Sequence, residues 1–112
     1  MKKMPEALLL SHWDAAVPIM IPHTIVEHLT NYNILGIRFL YNCFQKGQRG
    51  AILNEEQEMN PYIQISALLN ALNGSLSVES STIIICTTQT LNIWNYYLSN
   101  YTGHVVVILT EQ

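Results

Sequence analysis

No lysine or arginine follows Arg49, and the 112-residue chain carries only five in all. Gripping a phosphate backbone needs Lys or Arg beside the strand, so a strongly basic nucleic-acid binder is excluded. Charge of either sign is scarce. Charged residues make up 12% of the chain, against roughly 25% in an average soluble domain. The two cysteines, Cys43 and Cys86, lie far apart with no CxxC, so there is no disulfide scaffold, and they read as small buried hydrophobes in a reducing compartment. His12, His23, His28 and His104 fall at no metal-ligand spacing, and no metal is expected. No apolar run reaches membrane-spanning length. Lys2 and Lys3 precede Leu8-Leu9-Leu10, but Glu6 interrupts and the run is too short for a signal peptide, so an intracellular protein without a membrane is expected.

What remains is apolar. Residues of the hydrophobic class make up 49%, ample for a core. A small domain has much surface and little charge here to cover it, which predicts a protein partner or a second copy. The charge is also lopsided. Residues 1–49 hold all five bases (Lys2, Lys3, Arg38, Lys46, Arg49) against Glu6, Asp14 and Glu27. Residues 50–112 hold Glu55, Glu56, Glu58, Glu79 and Glu111 and no base. DNA contact is therefore expected to be weak or absent.

Residues 1–17 show no period and read as an N-terminal segment; residues 18–112 read as the folded unit. Over residues 24–45 the pattern is helical, with Tyr32, Leu35, Gly36, Phe39, Leu40 and Cys43 forming one stripe suited to core packing. Lys46-Gly47 reads as its stop. Gly50-Ala51-Ile52-Leu53 is a strand candidate, followed by an acidic loop. Asn60-Pro61 reads as an N-cap with Pro at the first helical position, opening a helix over about residues 61–72 that buries Ile65, Leu68, Leu69 and Leu72. Residues 81–87 contain Ile83-Ile84-Ile85, a run suited to a strand buried on both faces. Residues 90–100 are helical, with Leu91, Trp94, Leu98 and Tyr101 on one side and Trp94 enclosed against the sheet. Val105-Val106-Val107-Ile108-Leu109 is a third strand candidate. A helix followed by β-α-β-α-β predicts an α/β unit with a short parallel sheet, layered in three.

In this architecture the loop after the first strand is the usual phosphate site. Glycines there let the backbone point N–H groups at the anion, and a Lys and a Ser/Thr complete the work. Residues 53–62 contain no Gly, Lys, Ser or Thr. Glu55, Glu56 and Glu58 would repel phosphate but suit a helix N-terminus. Pro61 removes one N–H from that terminus.

The blocks Ile21-Pro22, Ile25, Leu29, Tyr32-Asn33, Gly36, Phe39-Leu40-Tyr41, Gly50-Ala51-Ile52-Leu53, Glu55-Glu56, Ile63-Gln64 and Trp94 stand at a joint spacing. That spacing resembles the opening of the first RecA-like lobe of SWI/SNF-type chromatin-remodelling and DNA-translocating ATPases, nearest their Cockayne syndrome B-like branch, over about residues 18–109. The resemblance implies a partial RecA-like (P-loop NTPase-like) fold and a nuclear, chromatin- or DNA-repair-associated protein. It also shows where the chain departs. The family's adenine-reading Gln is Asn33. Its GLGKT aligns with Glu58-Met59-Asn60-Pro61-Tyr62, so Pro61 takes the lysine's place and Tyr62 that of the magnesium-binding Thr. The DEAH box and second lobe are missing from the sequence. Phosphoryl transfer depends on such groups for positioning and charge neutralisation. The expectation is a truncated, degenerate lobe: a non-catalytic interaction or structural module with no cofactor and no small-molecule substrate. The competing expectation is a divergent ATPase subunit or fragment that binds nucleotide or DNA only with a partner or longer chain.

Overall fold

The computed structural model describes residues 6–53, 60–73 and 81–110. Within them the order is β1 (Leu8–Leu9), β2 (Met20–Ile21), α1 (His23–Val26), α2 (Asn31–Gln45), α3 (Pro61–Asn73), a 3-10 turn (Thr88–Thr90) and α4 (Leu91–Tyr101).

β1 and β2 pair antiparallel, Leu8 opposite Ile21 and Leu9 opposite Met20, across the division expected at residue 18. The Ser11 hydroxyl accepts the Ile19 N–H at 2.8 Å and holds the loop ends together. Arg38 reaches back from α2 to donate to the Leu9 carbonyl at 3.2 Å. The hairpin thereby brings Leu10 and Ile21 into the core with Ile25, Ile37, Tyr41, Ala67, Leu68, Ala71 and Leu72.

The helix expected over residues 24–45 is two helices. Thr30 and Asn33 form a reciprocal capping box: Asn33 N–H donates to Thr30 Oγ1 (3.1 Å) and Thr30 N–H to Asn33 Oδ1 (2.9 Å). That pair starts α2 afresh and separates it from α1. At the other end Gly47 adopts φ 68°, and its N–H and that of Gln48 return to the Phe44 and Cys43 carbonyls. This is a Schellman motif, the geometry glycine favours.

The buried face of α2 differs from the expected stripe. Asn33, Gly36, Ile37 and Tyr41 are buried, whereas Tyr32, Leu35 and Phe39 are exposed. Apolar residues occupy both sides of this helix, and α3, packing on one side, selects which is covered. Cys43 and Cys86, expected buried, are half-buried and unbonded to each other.

α3 is the central element, packed against α2, α4 and β2. Ile63, Gln64, Ser66, Ala67, Leu68, Ala71 and Leu72 are buried along it, while Ile65 and Leu69 are half-buried. Small residues at positions 66, 67 and 71 let neighbours approach closely on more than one side.

Residues 50–53, 81–87 and 105–109, the expected strands, carry no paired strand, and β1–β2 is the one sheet among the described residues. Residues 81–86 and 104–109 instead face α4 across an open cavity of about 620 Å³. Leu69, Leu91, Trp94 and Leu98 line its helical side. No residue of α4 is fully buried. Trp94, expected to be enclosed against a sheet, is half-buried and leans on Tyr62 instead.

Candidate functional site

The positions that align with the nucleotide loop converge on the start of α3. Asn60 precedes the helix with φ 49°, in the left-handed region that Asn tolerates better than most side chains. The resembled motif has a glycine here, which adopts this conformation freely. Asn60 makes this turn with a side chain that is engaged at both ends. Its Oδ1 accepts the Ile63 N–H at 3.2 Å, and its Nδ2 donates to the Tyr97 hydroxyl at 2.9 Å. The helix is therefore capped by its own chain.

Pro61, at the lysine's position, contributes no N–H to the first turn. Tyr62, at the threonine's position, directs its ring into an aromatic cluster. It meets Trp94 edge-on at 4.9 Å and stacks on Tyr97 at 6.0 Å. Tyr97 in turn stacks on Tyr101 at 5.7 Å and meets Tyr96 edge-on at 5.1 Å. Such pairs favour these geometries, and the two that involve Tyr62 fasten α4 to the start of α3. At the far end, Asn70 Nδ2 donates to the Tyr101 carbonyl at 2.8 Å. No Asp, Glu, Lys or Arg lies between residues 60 and 73.

Asn33, at the adenine-reading position, is buried in α2, with its Oδ1 spent on the capping box rather than facing a ligand. Glu55, Glu56 and Glu58 lie outside the described residues. Of the aligned positions, then, the structure brings together Asn60, Pro61 and Tyr62. It adds Tyr97, which sequence reasoning missed. The available signal was the Tyr96-Tyr97 pair in an aromatic helix, with nothing local to choose its partner. Among the described residues no group of three His, Cys, Asp or Glu is placed to hold a metal ion, and no helix is long and apolar enough to cross a membrane.

Burial pushes the Tyr101 hydroxyl above its ordinary 10.0, and negative charge at Tyr96, Tyr97 and Glu27 adds to the shift. A raised folded-state value favours the neutral phenol. The stability this contributes is fully present below about pH 10 and is lost as pH rises through the folded value. A tyrosinate absorbance titration of the folded protein should show a late-ionising component that Tyr101→Phe removes. The Tyr101 contribution to the unfolding midpoint, read as the difference between parent and Tyr101→Phe, should be constant below about pH 10 and fall above it. A titration unchanged by Tyr101→Phe would refute this assignment.

Two curated proteins share sequence with this chain. The Chromodomain-helicase-DNA-binding protein 1-like of Danio rerio is 30% identical over 81 residues, covering 72% of this chain and 8% of that protein. The DNA excision repair protein ERCC-6-like of Mus musculus is 26% identical over 76 residues, covering 68% of this chain and 6% of that protein. The chain thus spans less than a tenth of the length of either relative. No family model matches the chain. No solved structure matches it significantly. The similarity is partial and falls on helicase-like proteins of the SWI/SNF type, the group that the sequence blocks resemble.

Proposed function

We propose that the chain is a non-catalytic protein-interaction or structural module derived from a SWI/SNF-type helicase-like lobe, acting in the nucleus in association with chromatin or DNA repair. Its scaffold would be a partial RecA-like α/β unit whose strand segments, residues 50–53, 81–87 and 105–109, are unpaired among the described residues. The names of the two relatives support the association with chromatin or repair. The observation that carries the non-catalytic reading is the self-capped start of α3. The Ile63 N–H is taken by Asn60, Pro61 has none, and Tyr62 is packed against Trp94 and Tyr97. A phosphate at this terminus would need free N–H groups and a cation, and the segment offers little of either.

Isothermal calorimetry against ATP–Mg should show no saturable binding at millimolar concentration. Pro61→Lys should not create it, because a single added cation leaves the Asn60 cap and the glycine-free loop in place. Saturable binding by the parent would overturn the reading and favour a divergent nucleotide-binding subunit.

A further inference from the structure

Residues 81–110 hold no Asp, Glu, Lys or Arg, and the surface they build is uncharged. Along residues 83–86 and 104–107 exposure alternates as it does along a β-strand. Ile84, Cys86, His104 and Val106 are half-buried, whereas Ile83, Ile85, Val105, Val107 and Leu109 are between 74% and 93% exposed. These five rim the cavity in front of α4. Residues 82–86 and 105–109 also make no backbone hydrogen bond to any other described segment. Among the described residues, an uncovered apolar rim and two unpaired strand-like segments therefore coincide.

We propose that this surface is the contact of a homodimer, in which a second copy of the chain seats on the rim formed by residues 83–85 and 105–109. Three observations select a second copy. Enclosing an aliphatic side chain removes about 100 Å² of apolar surface, so these five supply roughly 500 Å² per copy. That matches the apolar share of a standard interface of about 800 Å² per partner. The segments are uncharged, so a two-fold axis brings no like charges together. A segment with unpaired backbone finds antiparallel complementarity in its own copy across such an axis, and an uncovered edge without charged side chains recruits it. The dimer gives the proposed interaction role its surface and rests on that reading; mass measurement tests the dimer, while calorimetry tests the nucleotide reading independently.

Light scattering coupled to size-exclusion chromatography of the full chain should give twice the 12.7 kDa mass of one copy. The double variants Ile85→Glu with Val107→Glu, and Ile85→Lys with Val107→Lys, should each elute as monomers. Mixing the two should restore the dimer, which unfolded chains could not do. Leu35→Glu, on the separate exposed face of α2, should leave the dimer intact. A monodisperse monomer for the parent, open-ended aggregation of it, dissociation by Leu35→Glu, or failure of the mixture to reassociate would each overturn the proposal.

Discussion

Ile21→Ala should destabilise the protein by about 2–5 kcal/mol, the range for truncating an enclosed Ile to Ala. Total stability for a domain of this size is about 5–15 kcal/mol, so much of the population would unfold under mild denaturant. Ile21 has no exposed surface, sits opposite Leu8 in the hairpin, and lies on a strand that packs against α3. The core cluster it belongs to draws buried side chains from the hairpin, α1, α2 and α3. Leu35→Ala should cost no more than about 0.5 kcal/mol, as for other surface positions, since Leu35 is 65% exposed. Urea denaturation followed by circular dichroism measures both. Equal shifts for the two variants would show that the hairpin does not cover the core and that the other face of α2 does.

That contrast marks where the chain could be read from sequence and where it could not. Signals confined to a few neighbouring residues are legible. Asn60-Pro61 starts α3, and Gly47 stops α2, because capping chemistry is local. The break before α2 is local too, but its capping box uses Asn33 where the usual pattern has Glu or Gln. The covered face of α2 is not local. Tyr32, Leu35 and Phe39 on one side are as apolar as Ile37 and Tyr41 on the other, and only the docking of α3 decides between them. The hairpin escapes for a different reason: two-residue strands are too short to show alternation. Ile83-Ile84-Ile85 and Val105-Val106-Val107 have the composition of strands covered on both faces, but burial on both faces needs a further layer, and among the described residues α4 and Leu69 of α3 face them across a cavity. At the candidate site, motif alignment nominated the positions and the Asn60 cap was legible from sequence, while the use of Asn33 as a cap depended on backbone geometry.

Asn60→Ala should cost about 2–3 kcal/mol, because two penalties act on one residue. Alanine in the left-handed region costs about 1–2 kcal/mol, and loss of an N-cap about 1 kcal/mol. The Tyr97 hydroxyl also loses its donor. Asn60→Gly separates these terms. Glycine adopts the φ of 49° without strain, so only the side-chain contacts are lost, at a few tenths to about 1 kcal/mol. Tyr97→Phe should cost about 1 kcal/mol, and its effect should shrink in the Asn60→Gly background, where the hydrogen-bond partner is already gone. At about 4–8 °C per kcal/mol for a chain near this size, thermal melts resolve all three variants. Equal losses for alanine and glycine would show that the turn imposes no strain and that capping alone matters. Asn60→Gly also bears on function. It restores the glycine of the resembled motif and releases the Ile63 N–H, yet phosphate should still fail to bind, since Pro61 supplies neither N–H nor cation. Calorimetry with inorganic phosphate on that variant asks whether the cap alone was the obstacle, and a saturable isotherm would show that it was.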